Sequence, residues 1–405
     1  MPTRRVIILG STGSIGTQAL DVIAHLNALH ERQQWPHTFT IVGLAAGSNA
    51  EALAAQAAAN GVRDLAIADG SPTAGDAARW RIGPDAATQL IRDVPCDLVI
   101  AAIVGAAGLH ATLTAVSLGR DVALANKESL VCAGELVLRE AQRTNARLLP
   151  IDSEHAAVWQ CLQAINAESP LTPHERPLCP PLIASREVSR VILTASGGPF
   201  RNQSLAEIYH APRAMALSHP TWNMGPKVTL DCATMMNKGL ELIEAHWLFG
   251  LSAERLGAIL HPQSLIHSLV ELVDGSTLAQ LAPTDMRMPI QYALTFPHRA
   301  MTPCPRLNFQ TLGKLEFQPP DPQRFPALGL AMRAITDGGT AGAILNAANE
   351  EAVLAYIRGD IPFGRIVELT AETCNNVKHA GISTLDDVLS ADAAAREAVR
   401  SAITR

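Results

Sequence analysis

The sequence has few aromatic residues, no excess of positive charge and no paired cysteine motif. Aromatic residues make up 4% of the 405 residues, and the formal net charge is −6. These values argue against a general nucleic-acid-binding protein, which needs a basic face and, for single strands, aromatic rings that stack on bases. The seven cysteines form no Cys-x-x-Cys pair, which favours free thiols in a reducing compartment over a zinc or disulfide framework.

Long hydrophobic runs are also missing. The apolar run 6–9 is too short for a signal peptide, and the uncharged stretch 98–119 is interrupted by His110 and by glycine, serine and threonine residues. This stretch is predicted to form a buried strand, a glycine turn and a short helix rather than a membrane span. We therefore expect a soluble, cytoplasmic protein without a membrane partner.

The sequence does contain enough apolar residues for large cores. Hydrophobic residues make up 48% of the chain, and its length corresponds to two or three domains at roughly 150 residues each. Residues 1–150 alternate short apolar runs with helical patterns, which predicts a doubly wound, Rossmann-like α/β domain with a parallel sheet. The predicted strands are 5–9, 39–44, 65–68, 97–103, 121–125 and 147–151, and the first helix is 15–29.

Downstream, apolar patterns alternate with segments rich in turn formers. Residues 200–226 hold few apolar pairs, and we expect a long mobile segment there. Residues 168–189 and 297–322 are rich in proline, and the first of these stretches is given no function. Strands are predicted at 190–194, 264–273 and 277–281, a helix at 235–248, and helices from 327 onward.

A glycine-rich loop at 10–16, Gly-Ser-Thr-Gly-Ser-Ile-Gly, follows the first predicted strand and opens the first helix. Its glycines let the backbone approach a pyrophosphate, and the helix N-terminus offers N–H groups to that anion. The spacing is G-x-x-G-x-x-G rather than G-x-G-x-x-G, and a purely structural glycine turn is the alternative. The strand before the loop and the helix after it favour a dinucleotide site.

The second predicted strand ends without the acidic residue that binds the ribose 2′-hydroxyl in NAD sites. Its end reads Leu-Ala-Ala-Gly-Ser-Asn at 44–49, and Glu51 comes later, at the start of a predicted helix. A carboxylate would repel a 2′-phosphate, so its absence favours NADP. No arginine or lysine is adjacent either.

Two segments carry acidic residues suited to a metal site. Asp152 and Glu154 follow a predicted strand and would point the same way in an extended segment; an aspartate helix cap with a glutamate in the first turn is the alternative. Asn237, Lys238 and Glu241 share one helix face, although an exposed Lys–Glu pair would have the same spacing. Three carboxylates would select a hard cation such as Mg²⁺ or Mn²⁺, while Asn and Lys suit a phosphate.

Residues 218–225 hold His219 and Trp222 in the expected mobile segment. A loop histidine is usually a surface residue. The neighbouring tryptophan favours another interpretation, because an exposed Trp in a mobile segment is unusual unless it closes over a ligand. We predict a lid at about 196–226.

Long, ordered motifs along the whole chain resemble those of the 1-deoxy-D-xylulose 5-phosphate reductoisomerase family. They are GSTGSIG at 10–16, NKES at 126–129, IDSEH at 151–155, SGGPF at 196–200, SHPTWNMGPK at 218–227, DCATMMNKGLE at 231–241, HPQSLIHS at 261–268 and NAANE at 346–350. The resemblance implies a cytosolic homodimer that uses NADPH and Mg²⁺ or Mn²⁺ in non-mevalonate isoprenoid synthesis. The sugar phosphate 1-deoxy-D-xylulose 5-phosphate first rearranges to an aldehyde, which NADPH reduces to 2-C-methyl-D-erythritol 4-phosphate.

The resemblance also implies domains and site residues. The domains are an NADP-binding domain at 1–150, a central α+β catalytic and dimerisation domain at 151–295, a linker at 296–321 and a helical domain at 322–405. The metal ligands are Asp152, Glu154 and Glu241. Glu154 and Glu241 also count among the catalytic residues. The residues that contact the substrate are Lys127, Ser153, Ser196, His219, Trp222, Cys232, Asn237 and Lys238. Cofactor contacts fall on Thr12, Gly13, Ser14, Ile15, Gly47, Ser48, Asn49, Asn126, Glu128 and Gly225.

Two positions depart from the family pattern. Cys232 stands where the family commonly has a serine that contacts phosphate, and a thiol is a weaker donor. Ser48 stands where some relatives have a lysine beside the 2′-phosphate, which leaves the margin of NADPH over NADH open.

Two other functions are considered. A simple NADP-linked dehydrogenase of a phosphorylated semialdehyde would need the glycine loop but no metal site. A non-catalytic NADP-sensing protein would keep the loop and tolerate the loss of Glu154 and Lys127. Retention of the three carboxylates together with Lys238 and His219 argues against the sensor, which has no use for a metal that stabilises an oxyanion.

Overall fold

A seven-stranded sheet forms the first part of the molecule, and the computed structural model describes residues 3–71, 79–165, 179–218 and 224–404. The strands are β1 (Arg4–Leu9), β2 (Phe39–Ala46), β3 (Asp64–Ile67), β4 (Arg79–Ile82), β5 (Leu98–Ala101), β6 (Asp121–Leu124) and β7 (Leu148–Pro150). Their order is β4-β3-β2-β1-β5-β6-β7, and all pairings are parallel. The order reverses beside β1, which confirms the doubly wound prediction.

Helices cover both faces of this sheet, so its central strands are apolar throughout. Val6 to Leu9 are at most 1% exposed, as expected for a strand buried on both faces. The helices of this part are α1 (Ser14–Glu31), α2 (Ala50–Asn60), α3 (Ala86–Asp93), α4 (Leu109–Ser117), α5 (Lys127–Thr144) and α6 (Ser153–Leu162). The predicted strand, glycine turn and helix in 98–119 are confirmed as β5, a turn at Gly105 and α4.

A second, mixed sheet follows in the order β11-β10-β8-β9. Its strands are β8 (Val188–Ala195), β9 (Leu256–Leu260), β10 (Ile266–Leu272) and β11 (Thr277–Leu281), and only the β8–β9 pairing is parallel. The remaining helices are α7 (Leu205–Tyr209), α8 (Arg213–Ala216), α9 (Pro226–Thr234), α10 (Met236–Phe249), α11 (Arg287–Thr295), α12 (Ala327–Asp337), α13 (Ala341–Arg358), α14 (Arg365–Asn376) and α15 (Leu385–Ile403). Among the residues described, no helix is both long enough and apolar enough to cross a bilayer.

The segment 200–226 differs from the expected long loop. Its described part contains α7 and α8, and Ile208 and Ala216 are buried in a cluster with Tyr356 and Phe363 of the C-terminal region. Residues 205–216 therefore form helices rather than a long loop, because their sparse apolar side chains find partners far away in sequence. Residues 219–223 and 166–178 lie outside the described residues.

Two strands escaped the sequence patterns. The edge strand β4 reads Arg-Trp-Arg-Ile and has no buried residue, so it carries no run of apolar residues. Strand β9 is short and contains Gly257.

The prolines at 180 and 181 do not prevent the residues after them from packing. Leu182 and Ala184 are buried, and their backbone N–H groups hydrogen-bond to the end of α10.

Candidate active site

A cavity of about 880 Å³ lies at the carboxyl ends of the parallel strands. Its lining comes from the segments that follow β1, β5, β6 and β7, from the end of β8, from α9 and α10, and from residues around the start of β10 and of α11. Ligands of doubly wound sheets bind at this edge. The cavity is therefore the candidate site.

The glycine loop forms one side of the cavity. Gly10 has φ +75°, and a Cβ atom there would lie 2.4 Å from the carbonyl oxygen of Ala102, so no side chain fits. Helix α1 begins at Ser14, within the glycine-rich motif, and Gly13, Ser14 and Ile15 line the cavity. The N-terminus of α1 thus offers backbone donors and a positive dipole end to an anion.

Four further predicted cofactor contacts, Thr12, Gly47, Ser48 and Asn49, lie outside the cavity lining. Gly47, Ser48 and Asn49 are exposed and follow β2, the neighbour of β1, while Thr12 is half-buried. The Asn49 side chain accepts a hydrogen bond from α2 at 3.0 Å and caps that helix. The backbone N–H of Asp69, which follows β3, donates to the Gly47 oxygen at 2.8 Å and brings an acidic residue close to these contacts.

Asn126 and Glu128 are buried at the carboxyl end of β6. The Asn126 amide donates to the carbonyl oxygens of Ile103 at 2.7 Å and Gly105 at 2.9 Å, so it holds the loop after β5. Lys227 Nζ lies 3.0 Å from Glu128 Oε1. Burial is the largest single effect and would raise the pKa of Glu128, but the charge and hydrogen bond of Lys227, a backbone hydrogen bond and the charge of Lys127 together lower it.

The structure brings the three predicted metal ligands together. One carboxylate oxygen each of Asp152, Glu154 and Glu241 lies within 4.8 Å of the others. Asp152 does occupy the N-cap position of α6, with Glu154 in the first turn, but its side chain makes no capping hydrogen bond. The helix-cap alternative therefore describes the backbone, whereas the side chains point to the α10 residue Glu241.

Two lysines neutralise most of the negative charge of the three carboxylates. Lys127 Nζ lies 3.0 Å from Glu241 Oε1 and is also paired with Asp152. Lys238 is paired with Glu154 and Glu241. Lys238 and Glu241 are only 3% and 1% exposed, so the interpretation of an exposed Lys–Glu pair is wrong.

Burial and charge oppose each other in this cluster. Burial disfavours the Lys127 cation, but the carboxylates of Asp152 and Glu241 outweigh it and hold the pKa of Lys127 well above its usual value. Burial would raise the pKa of Glu241, yet Lys127 and Lys238 outweigh it and lower that pKa. For Asp152, burial exceeds the effect of Lys127 and raises the pKa.

The donor chemistry fits a hard divalent cation, since Asp152, Glu154 and Glu241 supply only carboxylate oxygens. A second group, Asp152, His155 and Glu244, has a similar spacing. Burial, followed by the Asp152 charge, raises the pKa of Glu244 well above its usual value. This group includes a histidine nitrogen, whereas Asp152, Glu154 and Glu241 offer only the oxygen ligands that a hard cation prefers.

The predicted phosphate contacts Ser196, Cys232, Asn237 and Lys238 all line the cavity, as do Ser153 and Gly225. Ser196 Oγ accepts a hydrogen bond from the backbone of the following glycine pair at 3.2 Å. Asn237 accepts one from Lys127 at 3.0 Å. His219 and Trp222 lie outside the described residues.

The lining residues that were not singled out from the sequence include the basic side chains of Lys227, His267 and Arg287. Lys227 and His267 stand inside the quoted motifs at 218–227 and 261–268, which were the available signal. Arg287 pairs with Asp285 just before α11, and no sequence pattern marked it.

Fold and site together define a nicotinamide-nucleotide-dependent oxidoreductase with a carboxylate- and lysine-lined substrate pocket. Three family models match: "1-deoxy-D-xylulose 5-phosphate reductoisomerase" at 6–134, its C-terminal domain at 148–249, and "DXP reductoisomerase C-terminal domain" at 281–398. The chain is 45% identical over 409 residues to the 1-deoxy-D-xylulose 5-phosphate reductoisomerase of Xanthomonas campestris pv. campestris (strain 8004), which covers 99% of this chain and 97% of the relative. The chain therefore belongs to the 1-deoxy-D-xylulose 5-phosphate reductoisomerase family.

Other relatives agree over the whole length. The reductoisomerase of Rhodopirellula baltica is 44% identical, with 98% of this chain and 95% of the relative covered. The solved Zymomonas mobilis enzyme in complex with NADPH is 39% identical, covers both chains fully and has a TM-score of 0.85. A solved reductoisomerase in complex with NADPH, fosmidomycin and magnesium is 37% identical, with 99% and 98% coverage and a TM-score of 0.86.

Proposed function

We propose that this protein converts 1-deoxy-D-xylulose 5-phosphate to 2-C-methyl-D-erythritol 4-phosphate with NADPH and a divalent cation, as a step of isoprenoid biosynthesis. The observation that carries the proposal is the convergence of Asp152, Glu154 and Glu241 in a cavity shared with the glycine loop. A solved relative with NADPH, fosmidomycin and magnesium supports the choice of ligands.

Asp152, Glu154 and Glu241 hold the cation, Mg²⁺ or Mn²⁺. When bound, the cation supplies positive charge to substrate oxygens and NADPH supplies a hydride. Lys127 lies against Asp152 and Glu241, where its ammonium stabilises negative charge that develops on those oxygens. Ser153 binds a substrate hydroxyl beside it.

The phosphate of the substrate is bound by Ser196, Cys232, Asn237 and Lys238. Their common position on the cavity wall supports this role, and Lys238 contributes a buried cation. His219 and Trp222 cover the substrate. Cofactor binding falls to the glycine loop with Thr12, Gly13, Ser14 and Ile15, to the edge Gly47, Ser48 and Asn49, and to Asn126, Glu128 and Gly225.

We infer a cytoplasmic homodimer with the four parts 1–150, 151–295, 296–321 and 322–405. The end of β7 at Pro150, the end of α11 at Thr295 and the start of α12 at Ala327 support these boundaries. In the described part of the chain, β11 is an edge strand paired only with β10, and an uncovered edge suits an interface between copies. Light scattering of the purified protein tests the dimer.

The test of function is direct. Purified protein with Mg²⁺, NADPH and deoxyxylulose 5-phosphate should oxidise NADPH, and Glu154→Gln should abolish turnover while NADPH binding stays nearly intact. Glu135→Gln, an exposed change on α5, is the matched control and should run at the wild-type rate. Full activity of Glu154→Gln would rule out the metal assignment. Activity that survives strong chelation would favour the simple dehydrogenase instead.

A further inference from the structure

The NAANE motif at 346–350 lies on α13, far in sequence from the cofactor residues. Helix α13 packs closely on α5 at Gly342, where a Cβ atom would lie only 2.1 Å from the Val131 carbonyl oxygen. Asn346 and Asn349 are fully buried. Asn349 donates to Asp231 at 2.8 Å. The motif therefore faces the interior of the molecule, on the side of the site.

Glu350 of this motif reaches the loop that follows β5. Its Oε1 accepts a hydrogen bond from the backbone N–H of Ala106 at 3.2 Å and one from the Asn346 amide at 3.1 Å. Its Oε2 pairs with Arg396 of α15 at 2.6 Å. Gly105 has φ +77°, and a Cβ atom there would lie 2.8 Å from Glu350 Oε1. The carboxylate thus fits against the loop backbone itself.

The same loop forms part of the cofactor side of the cavity. Ala102, Ile103 and Val104 line it, and the Ala102 carbonyl is the group that Gly10 of the glycine loop closely approaches. On its inner side, the loop is held by the amide of Asn126. A shift of the loop would therefore alter the wall against which the cofactor lies.

We propose that Glu350 is a positioning residue for the nicotinamide cofactor: it fixes the loop 102–106 from the C-terminal helices through the N–H of Ala106. The inference rests on the proposed NADPH site. Glu351 provides a matched control within the same helix. Its side chain is buried, whereas that of Glu350 is partly buried, and it is likewise paired with an arginine of α15, Arg400 at 3.1 Å. No contact of the Glu351 side chain with the loop 102–106 is seen.

The experiment measures the dissociation constant of NADPH by nucleotide fluorescence, and the melting temperature, for the full-length protein and its variants. Glu350→Ala should weaken NADPH binding by about tenfold, as expected for loss of a hydrogen bond to a charged group. Glu350→Gln keeps an acceptor for the Ala106 N–H and should bind nearly as the wild type does. Glu351→Ala should lower the melting temperature and leave NADPH binding unchanged.

Gly105→Ala approaches the same contact from the loop and substitutes neither Glu350 nor Arg396. It should weaken NADPH binding in the same direction, which keeps the inference testable if Glu350→Ala does not fold. Unchanged binding in Gly105→Ala or Glu350→Ala, equal losses in Glu350→Ala and Glu351→Ala, or a loss in Glu350→Gln as large as in Glu350→Ala would overturn it. A wild-type protein that binds no NADPH would instead refute the proposed cofactor site.

Discussion

Lys127 and Glu241 are 114 residues apart in sequence, and their side chains meet at 3.0 Å in the buried part of the cavity. Lys127 begins α5, which follows strand β6 of the parallel sheet, whereas Glu241 lies in α10, which follows strand β8 of the second sheet. The pair thus joins the nucleotide-binding half of the molecule to the half that carries the carboxylates.

Removing one member of this pair should destabilise the protein. Lys127→Met removes the ammonium group that pairs with the Asp152 and Glu241 carboxylates. The free energy of unfolding without metal should therefore fall by about 3 kcal/mol. Saturating Mg²⁺ should restore part of the loss, because it supplies positive charge to the same oxygens. Urea denaturation with and without Mg²⁺ measures both effects. Lys314→Met, at an exposed position, is the control, and equal stabilities of the two variants would contradict the pairing.

The thiol of Cys232 should be replaceable by a better donor. Burial raises the pKa of Cys232, so it lines the cavity as a neutral, weakly donating thiol. Cys232→Ser should lower the KM for deoxyxylulose 5-phosphate or leave it unchanged. Steady-state kinetics measures it, with Cys374→Ser in the C-terminal helices as the control. A large rise in KM in the first variant alone would show that Cys232 is not a phosphate contact.

His267 should make stability depend on pH. Burial, followed by the nearby Lys238 ammonium, lowers the pKa of His267 to about 4, whereas an unfolded histidine has a pKa near 6.5. As pH falls, the unfolded chain therefore takes up this proton at a higher pH than the folded protein does. The free energy of unfolding falls as pH drops from about 6.5 to 4, by up to about 3 kcal/mol.

His267→Asn removes this group, so the stability of the variant should decline less steeply across the same window. Carboxylates titrate in both proteins, and the difference between the two denaturation series isolates the histidine. Parallel pH profiles would mean that His267 is not held neutral in the folded state.

Two glycines should respond oppositely to alanine. A Cβ atom on Gly134 in α5 would lie 2.4 Å from ring atoms of Trp247, whereas one on Gly329 in α12 meets nothing within 4 Å. Gly134→Ala should destabilise by about 2 kcal/mol through overpacking. Gly329→Ala should stabilise by about 0.5–1 kcal/mol through the helix preference for alanine. The urea concentrations at the unfolding midpoint of the two variants are compared with that of the wild-type protein. Midpoints shifted in the same direction would contradict the packing at Gly134 and Gly329.

A cation at position 48 should sharpen the choice of nucleotide. Residues 44–60 contain no arginine or lysine, and Asp69 lies beside Gly47. Ser48→Lys should tighten NADPH binding by roughly fivefold and leave NADH binding unchanged. Added salt should weaken the gain. Asn60→Lys, at the other end of α2, adds the same charge and should change neither affinity; equal gains in both variants would exclude a local contact.

Local sequence determined the elements of the cofactor half. Apolar runs without alternation specified strands buried on both faces, and the loop 10–16 specified a tight turn into α1. The three carboxylates were named from motifs, because Asp152 and Glu154 sit at a strand end and Glu241 shares a helix face with Lys238. These features depend on periodicity and turn chemistry, which neighbouring residues encode.

Tertiary structure decided which of these groups meet. Nothing within 226–249 shows that Lys238 is buried between two carboxylates, and nothing within 341–358 shows that Glu350 touches a backbone N–H 244 residues away. The two short helices α7 and α8 likewise depend on apolar partners in the C-terminal region. Such contacts are set by how whole helix faces pack, and packing joins residues whose separation in the chain carries no local pattern.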